Sequence, residues 1–386
     1  MPRRLLIIGA GPMGLAAALE GVERGFDVTV LEKAEVGAGL DRWGPTRFFT
    51  PLSMNVSPAM RRVLGGRLPS EETLLTGPEM VDAVLRPLAQ SPALAGRIRA
   101  GHEVLSVGRA GLTRMDFGGH PLRAERPFRV LARRDGEESV FEAEALMDAS
   151  GVTGQPNALG AGGVPAPGES RMDGRIIRDL GALAERAGGL AGRRILLAGH
   201  GHSAATAILR LSEIAGRHPA TRVTWAVRSP NRRPCMEVAN DPLPERARIT
   251  AGANDLAADP APYLTVHRRA AAEALSDGRG AVEARFSGDR SGEFDEIVSL
   301  TGYRPDLTFL SELPLEISPS TEGAGRLSRA LANVTDCLSV PAIAPADLAS
   351  GEPGFFLIGA KSYGRARTFL LQTGLAQLER IFELLH

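Results

Sequence analysis

The sequence of 386 residues predicts an α/β fold made of two similar strand–helix–strand units. Two glycine-rich turns indicate these units, GAGPMG at residues 9–14 and GHGHSA at residues 199–204. An apolar run precedes each turn, and a segment of small helix-forming residues and a second apolar run follow it. We therefore expect each turn to connect the first strand of its unit to the helix.

Composition and charge restrict the class of protein. The chain has 45 basic and 45 acidic residues, so its formal net charge of zero does not favour nucleic acid or an anionic membrane as a partner. Its 43% of hydrophobic residues is enough to fill several cores. No apolar segment approaches the length of a membrane span. We expect a globular, cytoplasmic protein.

Cysteine and histidine usage argues against metal and disulfide chemistry. Cys235 and Cys337 are the only cysteines, so the chain can form neither a disulfide framework nor a CxxC pair. The histidines are scattered, and His200 and His202 have no acidic or thiol residue beside them in the sequence. We expect no bound metal.

The first turn has the pattern of a dinucleotide-binding loop. Gly9 permits the sharp turn, Gly11 lets the backbone approach a pyrophosphate, and Gly14 lets the helix pack closely on the strand. Glu32 ends the second strand, where a carboxylate can accept hydrogen bonds from both hydroxyls of an adenosine ribose. This chemistry suits FAD. The candidate FAD residues here are Gly9, Gly11, Pro12, Met13, Gly14 and Glu32.

The second turn has the same pattern with one change. Its second strand ends in Arg228, and a guanidinium can pair with a 2′-phosphate that a carboxylate would repel. We therefore expect NADPH rather than NADH at this turn. An ordinary glycine turn and a solvated arginine are the alternative interpretations. The candidate NADPH residues are Gly199, Gly201, His202, Ser203, Ala204 and Arg228.

Three further segments each combine an apolar strand-like run or its end with a turn of small residues: SGVTGQP at 150–156, TGYRP at 301–305 and GFFLIGA at 354–360. Together with the two turns, they resemble the flavin-containing monooxygenases and their thioredoxin-reductase-like relatives over essentially the whole chain. The resemblance implies two Rossmann-like domains, in which a discontinuous FAD domain receives an inserted NADPH domain. The implied ranges are 1–158 for the first FAD part, with a helical insertion at about 45–126, 159–304 for the NADPH domain, and 305–386 for the FAD return segment.

The resemblance also implies further site residues. Ser150, Gly151, Gly359 and Lys361 are expected near FAD. For Lys361, a loop cation in water is the alternative. The segment GAGLDRWG at residues 37–44 is similar to a flavin-lining segment, which makes Arg42 and Trp43 candidates. Buried packing of the tryptophan is the alternative.

Two positions depart from the family pattern. Pro51 falls where these monooxygenases carry a flavin-supporting asparagine, and Asn55 follows four residues later as a candidate. Ala360 stands where most relatives carry an aspartate that binds the ribityl chain of FAD. No catalytic residue is assigned.

Three functions are compatible with these patterns. In the first, an NADPH-dependent monooxygenase uses dioxygen and an oxygenated flavin to oxygenate a nitrogen, sulfur or carbonyl centre of a small substrate. In the second, an FAD-dependent NADPH reductase or dehydrogenase passes electrons to an organic acceptor or a partner protein. In the third, the chain is a non-catalytic dinucleotide sensor. We favour the first, and a homodimer is compatible with each.

Local patterns predict three more elements. Thr76 and Glu79 predict a capping box at the start of a helix. Asp135 and Gly136 predict the turn of a β-hairpin. A long final helix is expected to have an apolar stripe of Phe369, Leu370, Thr373, Ala376, Gln377, Ile381 and Leu384.

Overall fold

A computed structural model describes residues 2–278 and 280–385, and the chain divides into two compact units. The first unit contains residues 1–41, 50–155 and 304–386, and the second contains residues 42–49 and 156–303. The long stretch of the second unit thus begins at residue 156 instead of the expected 159. Residues 42–49, expected in the FAD domain, cluster with the second unit.

The described residues contain sixteen strands, numbered along the chain. They are β1 (Arg4–Ile8), β2 (Asp27–Leu31), β3 (Ile98–Arg99), β4 (Glu103–Arg109), β5 (Phe128–Arg134), β6 (Glu137–Ala143), β7 (Ala145–Asp148), β8 (Ile176–Ile177), β9 (Arg194–Ala198), β10 (Arg222–Val227), β11 (Leu264–Arg268), β12 (Ala272–Asp277), β13 (Val282–Phe286), β14 (Arg290–Phe294), β15 (Glu296–Ser299) and β16 (Phe355–Leu357).

The α-helices of the described residues are also numbered along the chain. They are α1 (Pro12–Glu23), α2 (Ala38–Asp41), α3 (Pro58–Leu64), α4 (Gly77–Met80), α5 (Arg86–Ala89), α6 (Leu180–Glu185), α7 (His202–Arg217), α8 (Pro244–Ala258), α9 (Gly325–Ala330), α10 (Pro345–Leu348), α11 (Ala360–Tyr363) and α12 (Leu371–Glu383). A π-helical segment, Val81–Leu85, joins α4 to α5. Within residues 2–278 and 280–385, every helix is too short or too polar to cross a bilayer.

Each unit contains a five-stranded parallel sheet. The strand order is β16-β7-β1-β2-β3 in the first unit and β11-β10-β9-β15-β8 in the second. Both β1 and β9 are almost entirely buried, as expected for the central strand of a parallel sheet covered on both faces. These sheets confirm the predicted α/β fold with two Rossmann-like parts.

Each glycine turn lies where the strand order reverses. From β1 the chain continues to β2 on one side, whereas β7 pairs with β1 on the other. From β9 it continues to β10 on one side, and β15 pairs on the other. Such a reversal opens a crevice at the carboxyl end of the central strand. The fold therefore positions both turns at the usual ligand-binding edge of a parallel sheet.

A three-stranded antiparallel sheet accompanies the parallel sheet in each unit, β4-β5-β6 in the first and β12-β13-β14 in the second. Between β5 and β6, Asp135 and Gly136 both have positive φ, 52° and 84°. Two successive residues with positive φ are typical of a tight hairpin turn. The predicted hairpin is confirmed.

The helical predictions for residues 45–126 are only partly confirmed. The Thr76 hydroxyl accepts from the Glu79 amide, and the Glu79 carboxylate accepts from the Thr76 amide, so the capping box is present. Residues 98–109, however, form mainly strands β3 and β4. Val104 and Val107 favour an extended backbone, and β4 pairs with β5.

The prediction for the final helix is wrong in its start and in part of its buried face. After the short α11, a separate helix α12 begins at Leu371, so Phe369 and Leu370 precede it. Its buried residues are Gly374, Gln377, Leu378, Ile381 and Phe382, whereas Leu384 is 42% exposed. The interruption has a steric cause, because Gly364 has a φ of 63° and a Cβ there would lie 2.1 Å from the Thr321 carbonyl oxygen.

The first unit also contains a buried ionic cluster far from the glycine turn in sequence. The Glu352 carboxylate accepts from Arg109 Nε at 2.6 Å and from Arg123 Nε at 2.9 Å, and all three side chains are fully buried. The Arg109 guanidinium also lies 3.6 Å from the centre of the Phe128 ring. This cluster ties β4 and β5 to the segment that leads into β16.

Candidate functional site

The first turn has the packing that the glycine pattern predicts. Gly9 has a φ of 100°, and a Cβ on Gly14 would lie 1.9 Å from the Gly9 carbonyl oxygen. A Cβ on Gly11 would meet no described atom within 4 Å. Gly9 is thus required by its positive φ and by Ala149, whose carbonyl oxygen would lie 2.9 Å from a Cβ there. Gly14 is required by the close approach of helix and strand, while the backbone at Gly11 faces open space.

The side chain of Glu32 is held in place by the backbone. Its Oε2 accepts from the Ala10 amide at 2.7 Å, and its Oε1 accepts from the Ala34 amide at 2.9 Å. Each carboxylate oxygen keeps a further lone pair for a ligand. The carboxylate is therefore fixed at the end of β2, beside the glycine turn.

An open cavity of about 140 Å³ lies within the first unit. Gly9, Glu32, Ser150 and Gly151, all predicted FAD residues, contribute to its lining. His102 also lines the cavity and was not predicted from the sequence. Its position shortly after strand β3, at the carboxyl edge of the sheet, is the signal that could have indicated it. Its backbone amide donates to the Glu32 carbonyl oxygen at 2.8 Å, so it lies beside the end of β2.

Lys361 lies behind the cavity wall instead of in solvent. Its side chain is fully buried, and its Nζ lies 2.6 Å from Asp148 Oδ2 and donates to Ser150 Oγ at 2.9 Å. The ammonium also lies 4.4 Å from the centre of the Phe309 ring. Three directions of the ammonium group thus have partners, as a buried charge requires.

Ser150 is the exposed member of this group. Because its Oγ accepts from Lys361, the Ser150 hydroxyl proton is free to point elsewhere, and the residue lines the cavity. Asp148 Oδ1 also accepts from the Ser150 amide at 3.0 Å. The Asp148–Lys361 pair therefore holds both the backbone and the side chain of Ser150.

Three other predicted residues of the first unit make contacts within the fold. Met13 is buried, and a Cβ on Gly359 would lie 2.8 Å from the Met13 Cγ, so this pair packs in the interior. The Asn55 amide is used within its own loop, because its Nδ2 donates to the Thr50 carbonyl at 3.1 Å and its Oδ1 accepts from the Thr50 hydroxyl at 2.8 Å. The structure thus gives Asn55 a local role.

The second turn repeats the packing of the first. Gly199 has a φ of 120°, and a Cβ there would lie 2.3 Å from the Leu300 carbonyl oxygen. A Cβ on Gly201 would meet nothing within 4 Å in the described residues. The buried Trp225 indole donates to the Gly199 carbonyl oxygen at 2.7 Å and fixes the turn.

Three predicted residues occupy the first turn of α7. Ala204 is fully buried, whereas Ser203 is exposed. The His202 ring packs edge-on against the Phe49 ring, with centroids 5.4 Å apart. In the described part of the chain, no side-chain cap is present at the amino terminus of α7 or of α1. An amino terminus without a side-chain cap is the usual place where a helix binds an anion.

Arg228 follows β10 directly and is exposed. Within residues 2–278 and 280–385 its side chain has no hydrogen bond or ion pair. The neighbouring Arg232 donates to the Ala258 carbonyl oxygen, and Arg233 pairs with Asp255 at 2.7 Å. Arg228 is therefore the arginine of this loop that is available to a ligand.

Arg42 and Trp43 lie in the short segment that clusters with the second unit. The Trp43 ring stacks at a tilt on Phe48, with centroids 4.8 Å apart, and Arg42 is exposed. A Cβ on Gly181 would lie 2.0 Å from the Arg42 carbonyl oxygen, so this segment packs tightly against α6.

Cys235 is not arranged for thiol chemistry. Burial, with a smaller contribution from the charge of Glu237, raises the pKa of the Cys235 thiol to about 12. The thiol is therefore protonated at neutral pH and a poor nucleophile. Among the described residues, no group of three or more potential ligands could hold a metal ion.

The family model described as pyridine nucleotide-disulphide oxidoreductase matches residues 6–109, which include the first glycine turn and Glu32. No curated protein sequence shows detectable similarity to the chain.

Solved structures show the similarity over nearly the whole chain. Bacillithiol disulfide reductase from Bacillus cereus is 17% identical, with a TM-score of 0.71 over 99% of this chain and 98% of that chain. The FAD-bound cadaverine monooxygenase from Erwinia amylovora is 15% identical, with a TM-score of 0.67 over 100% of this chain and 94% of that chain. An ornithine N-hydroxylase from Kutzneria, with reduced FAD, NADP⁺ and L-ornithine, is 16% identical, with a TM-score of 0.65 over 99% and 98%.

These matches include reductases and monooxygenases that share one architecture. The resemblance to flavin-containing monooxygenases and thioredoxin-reductase-like proteins is confirmed at the level of the fold. The chain has the fold of the two-dinucleotide FAD/NAD(P)-binding oxidoreductases.

Proposed function

We propose that this protein is an FAD-containing, NADPH-dependent oxidoreductase. The observation that carries the proposal is the pair of glycine turns, which have the same steric geometry but charged residues of opposite sign at the end of the following strand, Glu32 and Arg228. The family match and the cofactors named for the solved relatives support it.

The first unit fits FAD. Glu32 would accept from the ribose hydroxyls, and the amides around Gly11 and Pro12 would bind the pyrophosphate. Ser150 would donate its hydroxyl proton into the same cavity, with Lys361 acting through it. FAD would supply the hydride acceptor, while the protein supplies binding and orientation.

The second unit fits NADPH. The backbone at Gly201 and the exposed Ser203 would bind the pyrophosphate, and Arg228 would pair with the 2′-phosphate. Such a pairing discriminates against NADH because NADH lacks that phosphate.

Arg42 and Trp43 remain proposed flavin-lining residues.

Within this class we propose a monooxygenase that adds one oxygen atom from dioxygen to a nitrogen, sulfur or carbonyl centre of a small molecule. Similarity to two N-hydroxylating or amine-oxygenating enzymes supports this. The raised pKa of Cys235, about 12, and the absence of a CxxC pair from the sequence argue against dithiol chemistry. The alternative is a reductase with an organic acceptor, which the match to bacillithiol disulfide reductase favours.

A substrate screen tests the proposal. The purified protein should be yellow, and NADPH should bleach the flavin absorption without oxygen. In air, a substrate should stimulate NADPH oxidation and yield a product heavier by one oxygen atom, with label incorporated from ¹⁸O₂. If the acceptor is reduced and its product contains no additional oxygen atom, the result would instead support the reductase. A colourless protein that rejects added FAD would disprove both.

A further inference from the structure

A second arginine stands beside Arg228 on the neighbouring strand. Arg269 follows β11, is exposed, and makes no side-chain hydrogen bond or ion pair with any residue of 2–278 or 280–385. Like Arg228, it is an available guanidinium at the carboxyl edge of the second parallel sheet. Neither sequence pattern nor family resemblance marks it.

The backbone brings the two arginines together. Strands β10 and β11 are parallel neighbours, with Val227 opposite Arg268. Hydrogen bonds continue past the strand ends, from the Arg269 amide to the Ser229 carbonyl at 3.3 Å and from the Ala270 amide to the Val227 carbonyl at 3.0 Å. Adjacent strands lie about 4.8 Å apart, well within the reach of two arginine side chains toward one anion.

Arg269 keeps an unfavourable backbone conformation at this position. Its φ is 50°, in the left-handed region that non-glycine residues seldom occupy. Ser287 Oγ donates to the Arg269 carbonyl at 3.0 Å, and Arg290 donates to the Arg268 carbonyl at 2.9 Å, so the β13–β14 hairpin holds this backbone. Strained residues that the surroundings hold in place are frequent at ligand sites.

The adjacent Arg268 connects the two strand ends. Its Nε donates to the Asn231 carbonyl and its Nη2 to the Arg232 carbonyl, both at 3.1 Å. The loop that carries Arg228 is thereby fastened to β11. The Arg268 guanidinium is thus engaged in hydrogen bonds that hold the loop. The guanidiniums of Arg228 and Arg269 remain available to bind an anion.

Two uncompensated guanidiniums at neighbouring strand ends repel each other unless an anion lies between them. A phosphate monoester is a suitable anion, because it carries up to two negative charges and several acceptor oxygens. We propose that Arg269, together with Arg228, binds the 2′-phosphate of NADPH and sets the preference over NADH. This inference rests on the proposed NADPH site.

Equilibrium titration of the full chain with two probes tests this. The probes are adenosine 2′,5′-bisphosphate, which carries the 2′-phosphate, and 5′-AMP, which lacks it. We expect Arg269→Ala to weaken the bisphosphate about tenfold and to leave 5′-AMP unchanged, as Arg228→Ala should. Arg285→Ala is the matched control, because Arg285 is an exposed arginine on β13 of the same unit.

Arg269→Gly separates binding from folding. Glycine tolerates a φ of 50°, so this variant should have at least the melting temperature of the parent while losing the same affinity for the bisphosphate. Unchanged bisphosphate affinity in both Arg269 variants, or equal losses for the two probes, overturns the role of Arg269. If the parent chain binds neither the bisphosphate nor NADPH, the proposed function itself fails.

Discussion

The two glycine turns share their steric plan and differ in how their charged residues are held. In both, a glycine with a φ of 100° or 120° follows the central strand, and the next helix starts without a side-chain cap. The Glu32 carboxylate is fixed by two backbone amides, whereas the Arg228 guanidinium is exposed and has no partner in the described chain. The backbone geometry typical of a dinucleotide-binding turn is thus common to both units. The units differ in whether the charged side chain at the end of the second strand is held by hydrogen bonds.

The difference matches the two roles in the proposed function. A protein side chain that is already fixed before the cofactor binds loses little conformational entropy on binding, which favours tight binding of a resident cofactor. An exposed arginine without a partner in the described chain loses side-chain entropy each time it binds, which suits a cofactor that binds and leaves in every cycle. The following variants test this contrast.

The largest effect on cofactor binding is expected where the turns differ at their third position. Gly14→Ala places a Cβ 1.9 Å from the Gly9 carbonyl oxygen, so helix and strand must separate. We expect a loss of about 1–3 kcal/mol in unfolding free energy and protein purified without flavin. Urea unfolding and the ratio of flavin absorption to protein absorption measure the two effects.

The matched change in the second turn is Ala204→Gly. It should cost about 1 kcal/mol of helix stability and leave NADPH affinity within about twofold. Equal losses of cofactor affinity in the two variants would contradict the closer approach of helix and strand at Gly14, where an added Cβ would lie 1.9 Å from the Gly9 carbonyl oxygen.

The next largest effect concerns the fixed carboxylate. Glu32→Ala removes the proposed ribose acceptor and leaves the Ala10 and Ala34 amides without it. We expect FAD affinity to fall about 10- to 100-fold, because hydrogen bonds to a charged group contribute about 1.5–3 kcal/mol. Fluorescence titration of apoprotein with FAD measures this. Glu35→Ala, an exposed residue of the same loop, should bind FAD normally, and equal loss in both variants would refute the assignment.

A smaller effect on FAD affinity is expected behind the cavity wall. Ser150→Ala and Lys361→Met should each weaken FAD about fivefold, and the double variant should lose no more than either alone, because Lys361 acts through Ser150. FAD titration of all three variants measures the coupling, and multiplicative losses would show that Lys361 acts by another route.

Lys361→Met also leaves the buried Asp148 without its cation, which costs about 3–5 kcal/mol. The variant Asp148→Asn/Lys361→Met removes that charge. It should therefore melt at a higher temperature than Lys361→Met. FAD affinity measured in this variant then reports the loss of Lys361 without the instability caused by an unpaired Asp148.

The smallest effect on cofactor binding is expected at Cys235. Its pKa is about 12 when folded and 9.0 ordinarily, so the unfolded chain releases this proton at lower pH. The stabilisation is complete below about pH 9 and decreases above it by at most about 1.4 kcal/mol per pH unit. Cys235→Ala should reduce this alkaline slope in urea unfolding, and an unchanged slope would contradict the raised pKa.

Thiol labelling gives an independent check of the same feature. At pH 8 a disulfide reagent should modify Cys235 only after unfolding in urea, and FAD and NADPH affinities should not change in Cys235→Ala. Rapid labelling of Cys235 in the folded protein would show that its burial is incomplete.

The sequence predicts the parts of these sites that depend on local steric rules. The glycine spacing predicts the roles of Gly9 and Gly14, and the length of each unit places Glu32 and Arg228 at the ends of β2 and β10. Apart from the approach of Ala149 to Gly9, these features follow from contacts within one strand–helix–strand unit. A single sequence is sufficient for them.

Features that depend on distant segments could not be predicted in the same way. Ser150 and Lys361 are 211 positions apart, and their contact exists only because β16 pairs with β7. Arg269 is recognisable only when β11 is known to lie beside β10. The break before α12 arises from the approach of Gly364 to Thr321, which no local periodicity encodes.

The buried Glu352 cluster has a practical consequence for dividing this protein into pieces. A shortened gene product that ends before residue 352 would leave the guanidiniums of Arg109 and Arg123 in the interior without their counter-ion. The last third of the first unit is therefore no detachable tail. Efforts to isolate that unit, or to exchange it between relatives, have to retain both ends of the chain.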